Sequence, residues 1–414
     1  MKTFKVLTAG LLALAVAATA SAQTKIRIVG SSAFRKATHA AIINILNTPT
    51  AAWTGTASNI SGVSSAVIAG TLKSGPSIGQ SVVFQLSWSG STGGIQTVAQ
   101  QSPVISKAFP TTGNTMSAIS VDGSYTFTGG TSGATTTESA TADVAMSDTL
   151  QGSSIFTGSG YHTLTDQVVG VVPFRWVRGN ATGAPSGFTA IDNITTLLAQ
   201  NLLNGGLPLS QFSGTPADVA YGVYVLGRDE DSGTRLVSFA EPGFGVQSTP
   251  LQYQPTLGTV TVSSTSYSGI TALNPWPANT VLGISYPVGH SGYSSGGTMA
   301  TDLARVVDPA LSIYLIGYLG RSDAATAVAG GGVALKYNGV DDTDTNVREG
   351  KYTFWSYEHL MYKSAFSGVG KNAADLLATQ LHNTDAPASG VSVTTMNVGR
   401  NVEGGPVTYG NPYP

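Results

Sequence analysis

The chain has 414 residues, no cysteine, 41% hydrophobic residues, only 10% charged residues and a formal net charge of -2. Without thiols there are no disulfides, thiolate metal sites or cysteine nucleophiles. The near-neutral balance argues against a general binder of nucleic acid or anionic membranes. Charge well below the usual quarter leaves the polar surface to Ser, Thr, Asn, Gln and the 51 glycines.

Lys2 and Lys5 precede an apolar run from Val6 to Ala18 and then Thr19-Ala20-Ser21-Ala22. This is the order of an export signal, basic then apolar then small, and it predicts cleavage after Ala22. The run is too short for a membrane anchor. A lipid anchor would need a cysteine at the cleavage point. The expectation is an exported, soluble protein. The roughly 390 remaining residues exceed what one core usually holds, so two domains are expected.

Lys25–Val29 alternates polar and apolar residues and runs into Gly30-Ser31-Ser32. A helical pattern follows over Ala33–Leu46, with Ala41, Ile42, Ile45 and Leu46 on one face. Strand, Gly/Ser turn and helix open an α/β unit and leave backbone N–H groups free at a helix N-terminus. Val82–Leu86 reads as an apolar strand ending at Gly90-Ser91-Thr92-Gly93-Gly94. From about Thr97 to Ala142 the chain turns rich in Thr, Ser and Gly, and reads as β-hairpins or a mobile surface excursion. Ala142–Ser147 is a short strand ending at Asp148. Val168–Trp176 is β-branched and apolar, as in a buried strand. Helices are expected over Ile191–Leu203, Met299–Val307 and Ala373–Leu381, and a strand over Val223–Leu226. Strands alternating with helices define an α/β protein.

The segment with most chemistry is Arg228-Asp229-Glu230-Asp231-Ser232-Gly233-Thr234. A strand enters a polar turn and a helix begins near Ser232. Hydroxyls from Ser232 and Thr234, a close backbone approach at Gly233 and unpaired N–H groups of the first turn make an anion seat. Arg228 adds a planar fork suited to a tetrahedral oxyanion. The plainer reading is an ordinary N-cap with a surface arginine. The turns at Gly30–Ala33 and Gly90–Gly94 have the same character. Asp148 would accept a hydrogen bond from a protonated oxyanion and disfavour one with no proton to give.

Gly30-Ser31-Ser32-Ala33-Phe34, Gly90-Ser91-Thr92-Gly93-Gly94, Ala145-Met146-Ser147-Asp148 and Arg228–Thr234, in this order, resemble the ligand loops of the phosphate-binding proteins of bacterial ABC-type uptake. Leu202–Gly214, Ser312–Leu319 and Leu335–Tyr352 resemble further segments of that family. The resemblance implies a two-lobed type II periplasmic-binding-protein fold, α/β, with the Thr/Ser/Gly-rich stretch as a β insertion. It implies lobe one at about 23–170 plus 352–414 and lobe two at 171–351, after a 1–22 signal peptide. Hinge motion would bury the anion between them. By position, Ser32, Ala33, Phe34, Ser91 and Asp148 would hold the anion from lobe one, and Arg228, Ser232, Gly233 and Thr234 from lobe two. Glu230 falls where the family has an aspartate orienting the arginine. Ala33 stands for a usual threonine, Arg35 for a proline and Asp231 for a glycine. The implied partners are phosphate or a related oxyanion and an inner-membrane permease, with a monomeric chain in the periplasm and no cofactor.

Two other readings use different features. Gly292-Tyr293-Ser294-Ser295-Gly296 fits the Gly-x-Ser-x-Gly pattern of hydrolases, but no clear buried strand precedes Ser294. A secreted surface or matrix protein on the same scaffold would fit the low charge and the Thr/Ser/Gly stretch. His39, His162, His290, His359 and His382 show no metal spacing. Asp342–Asn346 starts like a calcium loop but has Val347 and Thr353 at the wrong places, and reads as a polar surface loop.

Overall fold

A computed structural model of the chain describes residues 23–102, 105–281 and 284–413. The export signal and its cleavage point lie outside them. Among the described residues no helix is long and apolar enough to cross a membrane.

The fold is mixed α/β, built on one long sheet whose two halves share a strand. Leu164–Arg178 is that strand. Its first part, Leu164–Pro173, runs antiparallel to Trp355–Lys363. Its last part, Phe174–Arg178, runs antiparallel to Ile313–Gly320. Outward from it on the first side come Trp355–Lys363, Val144–Ser147, Thr24–Gly30, Ser81–Ser87, Ser65–Leu72 and Leu46–Trp53. On the second side lie Ile313–Gly320, Gly222–Leu226 and Leu207–Pro208.

Apolar residues on both faces of a strand call for cover on both faces. Ile26 and Ile28 pack into the main core with Phe34, Ala41 and Phe84, whereas Val29 faces Ile95, Val98 and Ala145 on the other side. The helix Arg35–Asn44 covers one face and Ser91–Ala99 the other. Thr24–Gly30 is parallel to Ser81–Ser87 and to Val144–Ser147, and Gly222–Leu226 is parallel to Ile313–Gly320. Ligands in such sheets gather outside the carboxyl ends of parallel strands. Here those ends, from both halves, meet at the junction.

Several local expectations change. The helix expected at Ile191 starts at Thr196, because Asn193–Ile194 pairs with Lys336–Tyr337 and Thr195 caps the amide of Leu198 at 3.2 Å. The Thr/Ser/Gly stretch forms two hairpins, Lys107–Pro110 with Thr137–Ala140 and Ser117–Val121 with Phe127–Gly129. The second adds to the Leu46–Trp53 strand, at Thr50 and Ala51, and so covers a sheet edge. Asp342 is not in a surface loop: its carboxylate is buried between Arg175 and Arg321, and a short helix follows at Asp344–Arg348. A long hairpin, Tyr253–Val262 with Thr265–Pro275, turns at Ser263 and Ser264, both with positive φ. The sequence reading had missed it.

Candidate functional site

The first half of the sheet brings three loops to the junction. Gly30 ends its strand at φ 126, and a side chain there would strike the Met146 carbonyl. The glycine lets Ser31 N–H donate to Met146 O at 2.8 Å while Gly90 N–H donates to Gly30 O at 2.9 Å, which ties the first two loops together. Ser91 opens its helix, and its Oγ accepts the Asp148 N–H at 3.2 Å. Asp148 follows the Val144–Ser147 strand and is fully buried. Burial pushes its carboxyl up to about 6, against the pull of the Ser91 hydroxyl, Arg228 and Thr234.

The second half supplies Arg228 and a helix. Ser232 caps Gly233–Ala240 by accepting the Arg235 N–H at 3.3 Å. The Gly233 and Thr234 amides lie in the first turn, where no intrahelical carbonyl meets them. A side chain on Gly233 would run into Asp148 Oδ1 and Ser91, so glycine is what allows the two halves to meet. Thr234 Oγ1 donates to Asp148 Oδ2 at 3.4 Å. Arg228, 2% exposed, donates from Nε to Tyr293 O at 2.9 Å and from Nη2 to Ser294 O at 3.1 Å. Backbone carbonyls, not Glu230, therefore orient the arginine. Glu230 instead accepts from Ser291 Oγ at 3.2 Å, and its carbonyl takes the Thr92 hydroxyl at 2.7 Å. Burial pushes the neighbouring Asp229 up to about 7, with Arg228 opposing.

Ser91, Asp148, Arg228, Ser232, Gly233 and Thr234 thus come together. Of the first loop, Ala33 packs on Gly320 of the other half, and the Phe34 ring lies against Gly170. Only the Phe34 backbone faces a ligand role, as the cap residue of a helix with no side-chain cap. Ser32 is half-buried, whereas its neighbour Ser31 is fully buried with an unpartnered Oγ.

Three residues of the cluster escaped the sequence reading as ligand candidates: Ser31, Arg35 and Glu358. Arg35 is 13% exposed and makes no side-chain hydrogen bond among the described residues; its nearest carboxylate is Asp323 at 3.6 Å. Burial and the nearby Arg228 both depress its pKa, with Asp323 opposing. Glu358 is buried with neither oxygen partnered, and burial holds its carboxyl well above the usual range. Arg35 shows in the sequence as a cation at a helix start, whereas nothing local marks Ser31 or Glu358.

The two halves touch beside the cluster, where Thr92 and Gly93 N–H groups donate to Asp231 O at 3.0 and 3.2 Å. Across Glu230 and Asp231 lies an outer cleft lined by Phe156, Leu236, Tyr286 and His290 among others. The cluster itself is enclosed. Ser294 is exposed on a loop, and its carbonyl serves Arg228. The buried histidines are engaged elsewhere: His39 accepts from Trp88 at 2.9 Å, His359 meets Asp166 at 2.8 Å and His290 stacks on Tyr286.

No protein-family model matches the chain, and no curated protein matches it. Similar solved structures include a candidate phosphate ABC transporter substrate-binding protein with bound phosphate from Clostridium perfringens. It shares 13% identity over 89% of this chain and 99% of that one, with a TM-score of 0.44. PstS from Borrelia burgdorferi shares 12% identity over 89% and 98%, at a TM-score of 0.36. An ABC-type phosphate transport receptor from Vibrio cholerae shares 14% over 57% and 74%, at 0.33. At such identities, what this chain binds has to be read from its own residues.

Proposed function

We propose that the chain is an extracytoplasmic solute-binding protein that captures a tetrahedral oxyanion, phosphate first among them, between its two halves. The observation that carries this is a surplus of buried, unmatched polar groups at the junction. Arg35 and Arg228 lie close enough to repel each other; Arg35 has only Asp323, at 3.6 Å and without a hydrogen bond, and Arg228 is held by two backbone carbonyls. Burying two like charges with too little counter-charge is costly, and an anion bound between them offsets that cost. The Gly233 and Thr234 amides and the Ser232 hydroxyl supply neutral donors, while the Ser91 and Thr234 hydroxyls serve Asp148. Ser32, Ala33 and Phe34 contribute through backbone only.

Asp148 is the selective element. With its carboxyl near 6 it is mostly ionised at neutral pH. It then accepts the proton that hydrogen phosphate carries and sulfate lacks. The resemblance of the four loops supplies the wider setting: lobes at about 23–170 plus 352–414 and at 171–351, a periplasmic monomer and an ABC permease as partner. Entry to the enclosed cluster requires the halves to part about the Leu164–Arg178 and Trp355–Lys363 strands, as hinge closure would. Isothermal titration of the purified chain with phosphate, arsenate, sulfate and molybdate tests the proposal. One-to-one binding with phosphate and arsenate ahead of sulfate is expected; no heat with any of them would end it.

A further inference from the structure

Behind Asp148 lies a second acid with no assigned part. Glu358 sits in Trp355–Lys363, a strand buried along nearly its whole length. Side chains two apart in a strand share a face. His359 pairs with Ser147, which brings Glu358 level with Asp148 on the neighbouring strand, and Ser356 donates its hydroxyl to the Asp148 carbonyl. Gly170 stands opposite Glu358 in register, and the Phe34 ring and Ala386 fill the space a side chain there would take. Of the groups around Glu358, Ser31 from the first loop favours ionisation and Asp148 opposes it. The facing Val169 and Gly170 and the nearby Phe34 carry no charge. Arg228 and Arg35 lie beyond Asp148 and act on it or on each other.

We infer that Glu358 is a positioning residue of the anion seat: it bears a proton, donates it as a hydrogen bond toward Asp148, and keeps the floor of the seat at one negative charge. This rests on the oxyanion reading above. Two buried carboxyls side by side cannot both ionise cheaply, so one holds the proton. Asp148 has the Ser91 and Thr234 hydroxyls and the field of Arg228 to stabilise its charge. Glu358 has only Ser31. The charge therefore settles on Asp148 and the proton on Glu358. Among the described residues, Asp148 Oδ1 and both Glu358 oxygens are without a hydrogen-bond partner.

Glu358→Gln keeps a neutral donor of the same shape, and Glu358→Met keeps the volume without the donor. In titrations with inorganic phosphate at neutral pH, the Gln variant is expected within about threefold of wild type. The Met variant is expected about tenfold to a hundredfold weaker, the worth of one hydrogen bond to a charged group. A tenfold tightening in the Gln variant would mean that wild-type Glu358 is ionised, and equal affinities in Gln and Met would mean that it donates nothing. Either result overturns the inference and leaves the oxyanion reading intact. No heat with wild type would sink both. Melting without anion gives a second readout. The folded protein holds the Glu358 proton more tightly than the unfolded chain, so wild type loses stability as pH rises above its ordinary 4.5 and through the raised folded value. The Gln variant lacks that loss, so its melting temperature should lead wild type by a margin that grows with pH. A constant margin, or a Gln variant that fails to fold, contradicts a protonated Glu358.

Discussion

Two buried clusters in this molecule each hold a pair of arginines, and they differ in whether the polar groups are matched. In one, Asp342 receives Arg175 Nε at 2.6 Å and Arg321 Nε at 2.8 Å, and Arg321 reaches on to Asp344 at 2.6 Å. Donors and acceptors there satisfy one another. In the other, Arg35 has no closer carboxylate than 3.6 Å, Arg228 is held by two carbonyls, and Asp148, Glu358 and Ser31 keep unpartnered oxygens. A matched buried cluster is architecture. An unmatched one, at the ends of parallel strands from both halves, is incomplete without a guest.

Mutations can break that contrast. Asp342→Ala strands two guanidiniums, and unfolding in denaturant should show a loss of about 3–5 kcal/mol, with phosphate affinity of the folded protein unchanged. Arg228→Ala should do the reverse, costing about 2–5 kcal/mol of phosphate binding with a smaller change in stability. Arg35→Met should weaken phosphate by about 1.5–3 kcal/mol with little net change in the stability of the anion-free protein, since it removes both the like-charge contact with Arg228 and the pairing with Asp323. A marked loss of stability would instead make Arg35 part of the framework. The smallest effect concerns pH. Asp148 is raised from 3.8 to about 6 in the folded chain, so its contribution to stability is full below 3.8 and is lost as pH rises through about 6. Asp148→Asn should accordingly stabilise the anion-free protein above about pH 6 and not near pH 3, read by thermal melts. In wild type the preference for phosphate over sulfate should narrow below about pH 6, as Asp148 takes up a proton of its own.

Much of the fold is legible in local pattern. The strands at Thr24–Gly30, Ser81–Ser87, Leu164–Arg178 and Gly222–Leu226 carry apolar, β-branched runs whose period and turn residues leave little choice. The hairpins of the Thr/Ser/Gly stretch were only half legible, because short polar strands acquire their partner, here the Leu46–Trp53 edge, from tertiary contact. In the candidate site, the loops with hydroxyls, glycine and an arginine stand out because an anion seat needs those groups at a helix start. Glu358 and Ser31 do not stand out, because nothing local tells that residues 327 positions apart meet at one pair of strand ends. The role that the family resemblance implies for Glu230 is taken by other groups: the carbonyls of Tyr293 and Ser294, from a distant loop, hold Arg228 instead. Asp342 looks like surface in the sequence because its two arginines come from distant elements, the strand Leu164–Arg178 and the helix Arg321–Ala329.

The most direct measurement is a crystal structure of the protein grown with arsenate, with the arsenic located by its anomalous signal. The account predicts one strong peak between the two halves, within hydrogen-bonding reach of Arg228, Arg35, Asp148 and the Gly233–Thr234 amides. A peak confined to the outer cleft by Tyr286 and His290, or an occupied protein in which Arg35 and Arg228 touch no anion, would contradict it.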